Sequence, residues 1–173
     1  MRIRYVLLLT ILIGCSSKIS SPKYPEIRWE RCKGDEEKIK KYLDDDKGNL
    51  DPIEGIYSNS SQVTEKMLFG FYEKEISKSN HFARVAIVKE NKSFGREFVE
   101  VVIKAEDLPK YSIRADFTRV QNDKMYLSKQ FSPDGKFQNY TFAFDPMTGF
   151  LEGSNKNGAV TPKISYVKLY PIK

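Results

Sequence analysis

From Ile53 to Tyr170 the chain repeats one pattern: short runs rich in Val, Ile, Phe and Tyr, broken by turn residues. Within the runs, apolar and polar positions alternate, the period of antiparallel strands with one buried face. The pattern predicts strands over Ile53–Asn59, Met67–Ile76, Phe82–Lys89, Glu97–Lys104, Ser112–Val120, Lys124–Phe131, Gln138–Phe144 and Ile164–Tyr170, with a short extra one at Gly149–Gly153. Alternation is clearest where Tyr140, Phe142 and Phe144 oppose Thr141 and Ala143, and where Ile113, Ala115 and Phe117 oppose Arg114, Asp116 and Thr118. Pro133-Asp134-Gly135, Asp145-Pro146-Met147-Thr148-Gly149 and Asn155-Lys156-Asn157-Gly158 supply turn chemistry between runs. Upstream, the period changes. Over Asp35–Asp46, Ile39, Tyr42 and Leu43 share one face at three- and four-residue spacing, acidic residues open the segment, and Gly48 offers a stop. One helix is predicted there.

Eight or nine consecutive strands with short links must hide their edges. Hairpin-length connections favour an up-and-down barrel over a sandwich built on Greek keys. The expected fold is mainly β: an antiparallel up-and-down barrel of about eight strands with one N-terminal helix. Residues 29–173 form its single domain, and Trp29 marks where packing begins.

The first residues follow another logic. Arg2 and Arg4 precede the apolar run Tyr5–Ile13, the layout of a secretory signal. That run is about half of the ~20 residues a membrane-spanning helix needs. Leu12-Ile13-Gly14-Cys15 resembles the lipobox of bacterial lipoproteins. The resemblance implies that residues 1–14 are cut away, that the Cys15 thiol carries diacylglycerol, and that its new amine carries a fatty acid such as palmitate. Two or more acyl chains give stable membrane attachment, since each buried methylene contributes about 0.8 kcal/mol. Ser16 and Ser17 after the cysteine, with no Asp, imply the outer membrane in a two-membrane cell. Residues 15–28 then read as lipidated cysteine and polar tether, with Pro22 and Pro25.

Charge narrows the field. The chain has 29 basic residues; without Arg2 and Arg4 there are 27 against 23 acidic ones, a formal charge of +4. Signs are interleaved, and no dense basic stripe of the kind nucleic acid requires is present. With Cys15 lipidated, Cys32 is left without an intramolecular disulfide partner. Cys32 and His81 are too few soft ligands for a structural zinc site. The Asp44-Asp45-Asp46-Lys47-Gly48-Asn49-Leu50-Asp51 stretch fails the calcium-loop spacing: from Asp44, Gly48 is fifth rather than sixth, and Gly55 stands where a Glu is needed. No nucleophile elbow and no phosphate loop is visible. No catalytic residue, cofactor or metal is assigned.

Leu50-Asp51-Pro52-Ile53-Glu54-Gly55-Ile56-Tyr57 is the most distinctive internal stretch. It resembles a segment of small bacterial envelope proteins, and it is loosely similar to the Gly-x-Trp opening strand of lipocalin-like barrels, with Tyr57 in the Trp place. Here Gly55 lets another backbone approach, Tyr57 plugs a barrel end, and Glu54 is placed for a buried polar contact. Apolar side chains alternating along closely linked strands can line a barrel interior, so the expected function is a non-enzymatic binding module, anchored at a membrane, for a small apolar ligand or a glycan. The alternative is an interaction module for an envelope protein, as inhibitor or accessory subunit. A binding barrel needs a roomy interior, and Phe82, Phe98, Phe117, Phe142 and Phe144 are placed to fill it.

Overall fold

The computed structural model describes residues 36–67, 72–90, 96–121, 124–131, 135–155 and 160–171. The signal segment, Cys15, the tether, Trp29 and Cys32 lie outside these residues, as do the centres of the Pro133 and Asn157 turns.

One helix, α1 (Glu36–Asp45), precedes eight strands. These are β1 (Gly55–Met67), β2 (Tyr72–Lys89), β3 (Phe98–Ala105), β4 (Ile113–Gln121), β5 (Met125–Phe131), β6 (Phe137–Asp145), β7 (Phe150–Ser154) and β8 (Val160–Tyr170). Each pairs antiparallel with its neighbour in sequence, and β1 closes on β8. The barrel is up-and-down and has eight strands, as the alternation predicts.

Two apolar cores result. Inside the barrel lie Tyr57, Val85, Phe98, Phe117, Tyr126, Phe142 and Tyr166, with their neighbours. Outside it, Ile39 and Leu43 of α1 cover Ile56, Ala86, Val88, Val99, Val101, Ile103 and Ile113. The helix therefore seals the outer face of β1 to β4. Its C-terminal end is tied down by a Tyr170 hydroxyl donating to Asp44 and a Tyr42 hydroxyl donating to Glu54 at 2.7 Å. It ends at Asp45, and Gly48 belongs to the turn that follows rather than serving as a left-handed cap.

Two departures from the sequence pattern have physical causes. Met67–Ile76 and Phe82–Lys89 are not two strands: Tyr72–Lys89 is one strand, and Met67 ends a β1 that runs well past Asn59. Its polar middle gives no alternation because both faces are wet there: Tyr72 to His81 are all exposed. Bulges mark that stretch, one at Ile76 and one around Asn80-His81-Phe82. At the second, His81 sits at φ 52, its amide donates to the Ser60 hydroxyl at 2.9 Å, and its ring Nδ1 meets the Ser58 hydroxyl at 2.6 Å. The lone histidine thus fastens a kink between paired strands.

The other departure is at Arg114. β3 and β4 pair Glu100 with Ala115 and Val101 with Ile113, leaving Arg114 as the extra residue of a bulge. The bulge inverts the expected phase. Ile113 packs outside with α1, and Arg114 turns inside. Finally, the short run at Gly149–Gly153 is β7, shifted by one residue at each end.

Candidate functional site

A small barrel has two places to work, its interior and its outer wall. The interior is packed. Tyr57, Tyr126, Tyr166, Phe98, Phe117 and Phe142 are fully buried. Ring centroids of Phe117 and Phe142 are 5.3 Å apart, Phe142 and Tyr166 5.5 Å, and Tyr57 and Tyr166 6.1 Å nearly edge-to-face. Such geometry adds to area burial. Gly153 is part of the same fit: a Cβ there would run into the Phe142 ring.

Tyr57 lies at the end of the barrel where β1 begins, its hydroxyl donating to the Ile53 carbonyl at 2.6 Å. A Cβ on Gly55 would meet the Tyr170 carbonyl, so the glycine permits closure of β1 on β8. Buried Glu54 receives the backbone amides of Asp51 at 3.0 Å and Lys89 at 2.9 Å, besides the Tyr42 hydroxyl. All three roles anticipated for this segment are structural, and together they join loop, helix and barrel.

Deeper inside lies a polar network that sequence reading missed. Glu100 is wholly buried, and its carboxylate stands 2.8 Å from Arg114 Nε. The Tyr166 hydroxyl donates to Glu100 at 2.6 Å, and Gln130 reaches Ser128 at 3.0 Å and Tyr166 at 3.3 Å. The Arg114 guanidinium lies 5.4 Å from the Phe82 ring centre. Burial pushes the Glu100 carboxyl above its ordinary range, with Arg114 and Tyr166 pulling against it. The Tyr166 hydroxyl is likewise pushed well up by burial. Glu100 interrupts Phe98–Ile103 as the single charge in an apolar run, which is the one signal that could have marked it. Asn59, also fully buried, points inward in phase with Tyr57, and neither its amide nitrogen nor its oxygen has a hydrogen-bond partner among the described residues.

Two clefts indent the surface at the Tyr57 end. One, of about 150 Å³, is lined by Asp51, Lys89, Glu90, Glu97, Phe98 and Arg119. The other, of about 140 Å³, lies among Pro52, Met147, Lys168 and Pro171. Both are small beside the roughly 300–1,000 Å³ of a drug-sized ligand pocket. In the first, the charges serve one another: Asp51 bridges Lys89 and Arg119, and Arg119 also approaches Glu97. Burial raises the Asp51 carboxyl, but the bonds from Lys89 and Arg119 outweigh it and hold it below its usual range. The acidic stretch considered for calcium thus spends Asp44 on Tyr170 and Asp51 on two cations. Among the described residues no three His, Cys, Asp or Glu side chains gather to hold a metal, and no helix is long and apolar enough to cross a membrane.

On the outer wall, β5 to β8 carry no helix among the described residues. Met125 and Leu127 on β5, Phe150 on β7, and Val167 and Leu169 on β8 face outward and are exposed. Register places Ala143 beside Met125 and Thr141 beside Leu127, with Asp145 and Glu152 next to them. An apolar stripe with charged neighbours results. No protein-family model matches the chain, and no curated protein matches it.

Proposed function

We propose that this chain is a lipid-anchored envelope protein that works as a non-enzymatic interaction module, presenting the bare outer wall of β5 to β8 to a protein partner. The observation that carries this reading is the contrast between a filled interior and an outer wall of β5 to β8 that carries no helix among the described residues. Six fully buried aromatic rings and a buried ion pair occupy the space a small apolar ligand would need. The outer stripe, by contrast, mixes the exposed Met125, Leu127, Phe150 and Val167 with Asp145 and Glu152, a mixed apolar and polar surface such as non-obligate interfaces use. Anchorage through Cys15, inferred from the lipobox resemblance, holds that wall within reach of envelope proteins.

The test places a photo-crosslinking residue at Leu127 in cells, with Lys40 on the helix as control. A discrete protein adduct at Leu127, lost in Phe150→Glu and absent at Lys40, is the expected result. The reading fails if Leu127 yields no protein adduct while native mass spectrometry finds the purified barrel loaded with lipid or glycan. The anchor is tested separately by fatty-acid labelling, which Cys15→Ala should abolish together with membrane fractionation; unlabelled, soluble wild-type protein would refute it.

A further inference from the structure

Asn59 points into the barrel in phase with Tyr57 and is fully buried, yet neither its amide nitrogen nor its oxygen has a hydrogen-bond partner among the described residues. Its cross-strand neighbours cannot supply one. On β2 it pairs with Ala83, whose side chain has no polar atom, and on β8 with Tyr166, whose hydroxyl is given to Glu100 at 2.6 Å. The stretches of β1, β2 and β8 around it are all among the described residues. Asparagine is seldom buried, and a buried amide with nothing to bond is rare, because its lost hydration is not repaid.

The neighbouring network has unmet bonding capacity as well. Arg114 Nε and Glu100 Oε1 stand 2.8 Å apart but are not aligned for a hydrogen bond, and neither has another. The bonds from Arg114 to Gln130 and Tyr166 are long, at 3.4 Å each. Asn59 is tied to this group from both sides. Tyr166 lies beside it and ends at Glu100, while the Arg114 guanidinium lies 5.4 Å from the ring centre of Phe82, the residue before Ala83. Both kinds of partner are on offer: donors on Asn59 and Arg114, acceptors on Asn59 and Glu100. That mixture selects water, which donates and accepts, over an anion that would meet Glu100 or a cation that would meet Arg114. We propose that this layer of the barrel is an internal hydration site, in which water bridges the Asn59 amide to the Glu100–Arg114–Tyr166 network. A buried water makes about three hydrogen bonds to groups that are otherwise unmet, and these side chains supply them. The water extends the network to β1 and so across the β1–β8 seam. The inference rests on the barrel interior alone and does not depend on the lipid or on the partner proposed above.

The full mature protein in detergent is compared with Asn59→Leu, which keeps the side chain's size but can neither donate nor accept. Relaxation dispersion of solvent oxygen-17 counts waters held inside a protein for longer than it tumbles. Wild type should exceed Asn59→Leu by the amplitude of at least one such water. In wild type alone, the Asn59 side-chain amide protons should show a magnetisation-transfer peak to water, of the sign that a long-lived guest gives. This second measurement needs no variant to fold. Three outcomes would overturn the proposal. One is equal dispersion amplitude in wild type and folded Asn59→Leu. Another is an Asn59 amide with no water peak in wild type. The third is a small polar molecule, found by native mass spectrometry in wild type and lost in Asn59→Leu, which would make a ligand the occupant.

Discussion

The two halves of the barrel wall solve the same problem differently. On β3 every residue from Phe98 to Ile103 is buried, because one face meets the interior and the other meets α1. On β5 and β6 buried and exposed residues alternate, since among the described residues only the inner face is covered. The difference is written in composition. Val-Ala-Ile-Val on β2 is a continuous apolar run, and Phe-Val-Glu-Val-Val-Ile on β3 is one broken only by Glu100, as strands buried on both faces require. Tyr-Thr-Phe-Ala-Phe on β6 is a strict alternation. A run without alternation in an antiparallel barrel therefore announces a cover, and here the cover is ten residues of helix.

The largest effect should come from the network beneath the covered half. Glu100→Ala removes the partner of a buried guanidinium, and leaving such a charge unpaired costs about 3–5 kcal/mol. Chemical denaturation should show that loss, whereas Glu100→Ala combined with Arg114→Leu should regain much of it. A single variant as stable as wild type would mean that water already compensates Arg114.

Next comes the cover itself. Leu43→Ala strips a fully buried side chain from the helix seam and should cost about 2–5 kcal/mol. Leu127→Ala on the bare half removes the same atoms from a side chain that is half exposed, and should stay within about 0.5 kcal/mol. Equal losses would show that the bare wall is covered in the isolated protein.

The smallest effect is read by pH, and it sets two carboxylates of the covered half against each other. Asp51, held low by Lys89 and Arg119, contributes stability that is present above its ordinary pKa of 3.8 and fades as pH falls below it. Asp51→Asn should therefore cost about 1 kcal/mol at neutral pH, and the gap should close in acid. Glu100, pushed up by burial, runs the other way: its contribution is complete below 4.5 and declines as pH rises through its raised value. Urea melts of wild type and Asp51→Asn across pH 3–7 would resolve the opposed slopes.

Much of the fold could be read from residues alone. The helix, the barrel and most strand bounds follow from period, because alternation is what a half-buried strand requires. Where it failed, geometry had overridden period. The bulge at Arg114 turned an outward-reading residue inward, and a one-residue slip of this kind leaves no mark in composition. The polar stretch of β2 forms a strand because β1 pairs with it, not because it buries anything. Glu54, Gly55 and Tyr57 could be anticipated because a glycine flanked by a charge and an aromatic is unusual in a strand. The Glu100 network could not, since its members come from β3, β4, β5 and β8 and meet only after closure.

That closure has a consequence for how the molecule is made. β1 and β8 pair Ile56 with Tyr170, so the seam joins the two ends of the domain. Every other strand pair links near neighbours in sequence and can form as a local hairpin, but the seam requires a loop of roughly a hundred residues to close. Contacts of such separation slow folding, because the entropy of closure is lost before the contact rewards it. Until β8 arrives, β1 and β7 each expose an edge, and the Glu100 carboxylate lacks the Tyr166 hydroxyl that satisfies it. A chain whose last strand has yet to be synthesised thus has hairpins but no barrel, and a chain cut short before Val160 has two open edges with which to aggregate.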